Sequence, residues 1–305
     1  MPVEAIKITD REQWLTLRKF DLTASVVSGA MGVSPYLSPL RLYLEKRGIE
    51  FPLKDSAPLR RGRRFEPAVA MAVEEERPGW KLEKCQHYYR DNSIGIGATP
   101  DYHIHGDARG TGCLQIKTVN SWVFEREWTV QSAPAWVIVQ TRTESMLTDA
   151  AFGAIAVMVM IEPDYPTYII EVAREHHEEE KIRQAVVDFW QTVEDGKQPD
   201  VNYSLDRALL AALTPKETID KIIDLSADNE AMSGLLERAE LIAKIKRDEE
   251  RCSEIETMLM DKMGDAARAQ VPGFSVSWKV QHRKGYIVQP SDPRVLLIRS
   301  KANGS

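Results

Sequence analysis

Cysteine is scarce in this chain, with three in 305 residues. Scattered and odd in number, Cys85, Cys113 and Cys252 leave no disulfide framework and no four-thiolate metal or iron–sulfur centre, and they suit a reducing compartment such as the cytoplasm. Long apolar runs are missing as well. No stretch approaches the roughly 20 residues that a bilayer-crossing helix requires, and the opening MPVEAIKITD lacks the basic-then-apolar pattern of an export signal. Nor is there an excess of positive charge: the net charge is −6, so any nucleic-acid partner must be gripped by local basic clusters. What is present is ordinary for a globular protein, 43% hydrophobic and 28% charged, which sets aside disordered and fibrous classes.

Three short helices are expected between Asp10 and Ile49, opened by Asp10, Thr23 and Pro39, and a longer one from Pro58 to about Glu76, where Leu59, Phe65, Val69 and Val73 recur at helical spacing. From Trp80 to Phe124 the period changes to short β-prone runs, KLEKCQHYYR, SIGIGAT, YHIHG and CLQIKTV, expected to form one sheet. A helix from Pro134 to about Ala150 follows, then strands AIAVMVMI and TYIIEVA, then a long amphipathic helix ending at Gly196. These elements make a core over residues 1–200. KQPDVNYS reads as a linker to an extension over residues 201–305, helical from Ala227 to about Met263 and closing with a β-hairpin turned at Arg283-Lys284-Gly285.

The segment richest in chemistry is Gly97-Ala98-Thr99-Pro100-Asp101 with Leu114-Gln115-Ile116-Lys117 downstream. Strand alternation puts Gln115 and Lys117 on one face and Leu114 and Ile116 on the other, so a polar pair leaves an otherwise apolar strand. An edge strand with one wet face accounts for that pair equally well on spacing alone. Arg60, Arg61, Arg63 and Arg64 form a compact basic run, readable as a phosphate grip or as a solvated face. His103 and His105 alternate on one strand near Asp101, and His176 and His177 read as solvated residues opening a charged helix.

Asp101, position 115 and Lys117 resemble the PD-(D/E)xK nuclease signature, with glutamine where the second acid stands. The surrounding chain resembles the YqaJ-like viral recombinase family, which includes lambda exonuclease, over roughly residues 10–200 and more loosely beyond. In that family's terms Arg18 and the Thr23-Ala24-Ser25 step match the arginine and serine that hold a 5′-phosphate; the alternative is a surface arginine and a helix cap. Gly62 to Glu66 matches a helix whose glutamate faces the metal site. Pro134, Trp136 and Gln140 match a helix flanking the active site, whereas Arg142 and Thr143 depart from it. The implied fold is α/β, a restriction-endonuclease-like core of mixed sheet and flanking helices.

The resemblance implies an Mg2+-dependent 5′-to-3′ exonuclease on linear double-stranded DNA, leaving 3′ overhangs for recombination by strand annealing. Glu66, Asp101, Gln115, Lys117 and Gln140 would be catalytic, and Arg18, Ser25, Arg61 and Arg63 would contact DNA. Asp101, Gln115 and the Ile116 carbonyl would hold metal, in a two-metal Mg2+ site that Mn2+ could fill. Implied partners are DNA ends, a single-strand annealing protein and further copies in a ring, a trimer before a tetramer, in the host cytoplasm if phage-encoded. Hard cations take oxygen donors, and an amide at 115 keeps one while removing a charge. Three accounts of Gln115 stand open: a deliberate Glu→Gln exchange that traps substrate, which the isosteric change favours, a working glutamine, or a DNA-end-binding protein without catalysis.

Overall fold

A computed structural model describes residues 3–49, 51, 56–282 and 296. The chain divides into two compact units, residues 1–213 and 214–305. In the first, β1 (Glu4–Lys7) leads into α1 (Arg11–Lys19), where Asp10 accepts from the Gln13 backbone N–H. The short β2 (Leu22–Thr23) runs into α2 (Ala24–Ala30), and α3 (Pro39–Lys46) starts under Ser38, which accepts from Arg41 N, with proline in its first turn. The three helices expected before Ile49 are present; β1 and β2 are too short to give a period. The longer helix, α4 (Ala57–Glu76), buries Val69, Ala70 and Val73.

The β-prone stretch makes β3 (Lys81–Lys84), β4 (His87–Asp91), β5 (Ile96–Ala98), β6 (Tyr102–His105) and β7 (Gly112–Asn120). These five strands do not share one sheet, as alternation had suggested. One sheet runs β1-β4-β5-β2, while β3, β6 and β7 belong to another. KLEKCQHYYR reads as a single run because its alternation is unbroken, but the chain changes sheet inside it, at Cys85-Gln86. It changes back at Thr99-Pro100-Asp101. The two crossings are tied together, Cys85 N donating to the Asp101 carbonyl at 3.1 Å, so Asp101 lies where the sheets meet.

After β7 come α5 (Ser121–Glu127) and α6 (Ala135–Thr148), then β8 (Phe152–Met160), β9 (Thr167–Ala173), α7 (His176–Glu194) and α8 (Arg207–Leu213). The second sheet has the order β3-β6-β7-β8-β9, with β7 and β8 parallel over their full lengths and the other neighbours antiparallel. Its two faces are covered by different helices. Leu114, Ile116, Ala154 and Ala156 meet Val69 and Val73 of α4, whereas Ile155 and Val157 meet Val137 of α6. Each large aliphatic group buried here contributes about 1.5–3 kcal/mol. Period-two alternation therefore aims Gln115 and Lys117 toward the α6 side.

In the second unit α9 (Asn229–Met263) starts under Asp228 and ends at Gly264, with φ +56, and β10 (Arg268–Val271) pairs with β11 (Phe274–Ser277) around Gly273. FSVS thus forms the second strand of a hairpin with the run before it; the turn expected at Arg283-Lys284-Gly285 lies outside the described residues. Among the described residues no helix is long and apolar enough to cross a membrane.

Candidate active site

Pairing of β6 with β7 stops at Tyr102 opposite Leu114, which leaves the β7 edge open on that side from Gln115 onward. Asp101, one residue before β6, fills the opening. Its Oδ2 accepts from Ile116 N at 2.7 Å and from Gln115 Nε2 at 2.6 Å. The strand edge that β6 abandons is thereby satisfied by a carboxylate instead of a backbone carbonyl.

Gln140, on α6, faces this edge. Its Oε1 accepts from Lys117 Nζ at 2.9 Å, and its Nε2 donates to Gln115 Oε1 at 2.7 Å and to Glu144 Oε1 at 2.9 Å. Asp101 and Lys117 are partly exposed, while Gln115, Gln140 and Glu144 are buried behind them. Glu66 reaches the same region from α4 and is paired with Lys84 of β3, the strand position opposite Tyr102.

Burial dominates the electrostatics. It pushes the Asp101 carboxyl up to about 6, opposed by the Ile116 N–H and the Lys117 charge. Burial also lowers the Lys117 ammonium below the ordinary lysine value, against the pull of Asp101 and Glu144. Glu144 is held well above the usual carboxylate range by burial first and by Asp101 second. Its Oε2 is buried with no hydrogen-bond partner among the described residues. Asp101, the Ile116 carbonyl and Glu66 gather oxygen donors around the Gln115 amide, and Glu144 adds a buried carboxylate oxygen without a donor among the described residues. Such a set fits a hard divalent cation.

On α1, Arg18 stacks over the Trp14 ring at 4.3 Å and donates to Ser25 Oγ at 3.0 Å, while Ser25 Oγ lies 3.1 Å from Thr23 Oγ1. Trp14 Nε1 donates to Thr99 Oγ1 at 3.2 Å, linking this group to the crossing that carries Asp101. Lys46 holds the turn beyond Arg18 by donating to the carbonyls of Arg18 at 3.1 Å, Lys19 at 3.3 Å and Asp21 at 2.6 Å, and burial pushes its ammonium down to about 8.

Not every expected residue joins this centre. Arg61 donates to Asn120 Oδ1 at 2.6 Å and to the Thr118 carbonyl at 3.2 Å, fastening α4 to the end of β7. Arg60, Arg63 and Arg64 are exposed. His103 and His105 have partners of their own, Tyr89 Oη at 3.1 Å and Glu83 at 3.0 Å. Glu175, His177 and Glu178 bring ligand atoms within 4.8 Å of one another at the start of α7, where Arg142 and Lys181 engage the two carboxylates. Sequence reasoning missed Glu144, although its place four residues after Gln140 on one helix face was a usable signal.

The segment from Gln13 to Ala151, which contains Arg18, Glu66, Asp101, Gln115, Lys117, Gln140 and Glu144, matches the YqaJ-like viral recombinase domain. The match ends before β8, so α7, α8 and α9 lie outside it. The protein YqaJ of Bacillus subtilis, itself uncharacterised, is 25% identical over 276 residues, spanning 88% of this chain and 83% of that protein. The fold is that of an alkaline exonuclease, LHK-Exo from Laribacter hongkongensis, with a TM-score of 0.51 at 21% identity over 61% of this chain and 94% of that one. The LHK-Exo complex with dAMP superposes with a TM-score of 0.52 at 22% identity and the same coverage. The segment that matches the YqaJ-like domain thus lies in a core of mixed sheets flanked by helices, a fold shared with LHK-Exo.

Proposed function

We propose that this chain is a divalent-metal-dependent exonuclease that degrades linear double-stranded DNA from the 5′ end and leaves a 3′ overhang. The observation that carries this reading is the ordered set between the start of β6, β7 and α6: Asp101 beside Gln115 and the Ile116 N–H, with Lys117 fixed by Gln140. Support for the substrate comes from the YqaJ-like domain and from the fold shared with a protein described as an alkaline exonuclease and crystallised with dAMP. Support for the polarity comes from Arg18 and Ser25, a cation and a hydroxyl in contact and linked through Trp14 to Thr99, two residues from Asp101. A terminal phosphate there would take bonds from both. The family resemblance extends the reading to a ring of identical subunits around DNA and to a single-strand annealing protein as partner.

In this reading Asp101 and the Ile116 carbonyl hold Mg2+ or Mn2+, with Glu66 beside them, and Gln115, whose Nε2 faces both in the metal-free arrangement, would join them through Oε1 once its amide turns over. A bound cation would supply Lewis-acid polarisation of the phosphodiester and a lowered pKa for the attacking water. Lys117 places a positive charge where negative charge develops on the phosphate, and Gln140 fixes its position. The test is release of nucleotides from a 5′-phosphorylated linear duplex in Mg2+, with Asp101→Asn as control. Release that stops in the control, and is absent from a covalently closed circle, is the expected result. If neither this chain nor its Gln115→Glu variant releases nucleotides while both bind ends, the second reading, a DNA-end-binding protein favoured by the missing charge at 115, replaces the first.

A further inference from the structure

Glu144 is 1% exposed and lies one helical turn beyond Gln140. Other buried carboxylates of the described core are well compensated. Asp21 is met by Tyr88 and Arg90, Asp91 by Ser93 and Arg183, Glu179 by Arg174, and Asp206 by Ser38 and the Asn202 N–H. Glu144 has one neutral bond, from Gln140 Nε2 to Oε1, and a second oxygen with none. A carboxylate kept for packing alone would be a poor choice, because glutamine or methionine fills the same space without the desolvation penalty.

Its one partner is informative. Gln140 Nε2 donates at the same time to Gln115 Oε1 at 2.7 Å and to Glu144 Oε1 at 2.9 Å, so these two side chains converge on one nitrogen. The position that lacks a negative charge and the carboxylate that lacks a positive partner are thus joined through a single atom. From this geometry we propose that Glu144 is the displaced second carboxylate of the site, supplying from α6 the negative charge that Gln115 does not carry when a divalent cation binds. The inference rests on the metal-dependent reading above. It makes Gln115 a working residue of an intact site, and it makes Glu144 a positioning residue that acts through Gln140.

The test uses the full chain, Mn2+ as probe and electron paramagnetic resonance to count free Mn2+, so that affinity is read without turnover. Four proteins are compared: the chain as it stands, Glu144→Gln, Gln115→Glu, and the Gln115→Glu/Glu144→Gln exchange, each checked by its circular-dichroism melting curve. Glu144→Gln is expected to weaken Mn2+ binding by about 10- to 100-fold with little change in melting, as for loss of a supporting charge around a metal. The exchange, which returns the charge to position 115, is expected to recover to within about threefold of the parent. Unchanged Mn2+ affinity in a folded Glu144→Gln protein overturns the inference and leaves the metal site standing. If Glu144→Gln does not fold, the exchange decides, and failure of the folded exchange to bind Mn2+ overturns it. Absence of Mn2+ binding by the parent chain removes both the inference and the metal-dependent reading.

Discussion

Lys117 and Asp101 are the two ends of one hydrogen-bond relay in which both intervening amides have a fixed direction. Lys117 Nζ can only donate, so Gln140 presents its oxygen to it and its Nε2 to Gln115 Oε1, and Gln115 in turn presents Nε2 to Asp101 Oδ2. The lysine charge thereby orients the amides on which the carboxylate depends.

Replacing Lys117 by methionine keeps the stem but removes the donor that orients Gln140. Single-turnover cleavage of a linear duplex should fall by about 100-fold or more, the size of a lost electrostatic contact in a transition state. Affinity for the DNA end, measured in Ca2+, should change less than about threefold. A variant that cleaves at the parental rate would remove Lys117 from the chemistry.

Gln115→Glu would put a second carboxylate at hydrogen-bond distance from Asp101, where Gln115 now donates at 2.6 Å. With EDTA present the variant should melt lower than the parent, by about 1–3 kcal/mol of stability for a lost buried bond and a like-charge contact. Mn2+ should raise its melting temperature by more than it raises the parent's. Equal melting in EDTA contradicts this role for Gln115.

The Asp101 carboxyl, raised to about 6, makes metal-free stability pH-dependent. Between the ordinary aspartate value and about 6 the folded protein binds more protons than the unfolded chain, so this group's contribution falls as pH rises through that window and is flat above it. Glu144 acts in the same sense. Urea midpoints from pH 4 to 7.5 for the parent and Asp101→Asn should diverge, the parent losing on the order of 2 kcal/mol relative to the variant. A parent that gains stability relative to Asp101→Asn over this range contradicts the assignment.

Arg18→Ala should abolish preference for a 5′-phosphorylated over a 5′-hydroxyl end, a ratio expected at about 10- to 100-fold in the parent, the range of a charged hydrogen bond. Competition binding with the two duplexes in Ca2+ measures it. Equal binding of both ends by the parent would withdraw the phosphate role from Arg18 and Ser25.

A Cβ on Gly97 would fall 2.0 Å from Tyr88 Oη, which bonds the wholly buried Asp21 at 2.9 Å. Gly97→Ala should cost about 3 kcal/mol or more, seen as a drop of roughly 6–12 °C in thermal melting. Tyr88→Phe added to it should restore part of the loss. A Gly97→Ala protein that melts with the parent means the tyrosine yields without cost.

The helices were legible because their starts are written locally, in Asp10, Thr23 and Pro39 and in the apolar spacing of α4. Gln115 and Lys117 were legible because alternation on β7 leaves a polar pair on an apolar strand, and Asp101 because with them it resembles the PD-(D/E)xK signature. What pairing decides was hidden. Nothing local says that KLEKCQHYYR changes sheet at Cys85, and β2, two residues long, exists only because Leu22 and Thr23 find β5. The same holds for Arg61, a basic residue in a basic run whose partners Thr118 and Asn120 lie on β7. Glu144 had a local signal in its spacing from Gln140, but its unmet oxygen is a property of packing.

Diffraction at the manganese edge from crystals grown with Mn2+ tests the central claim most directly. The account predicts an anomalous peak within about 2.5 Å of an Asp101 carboxylate oxygen and on the side of Gln115 and the Ile116 carbonyl. Manganese found only at Glu175, His177 and Glu178, with none at Asp101, would contradict it.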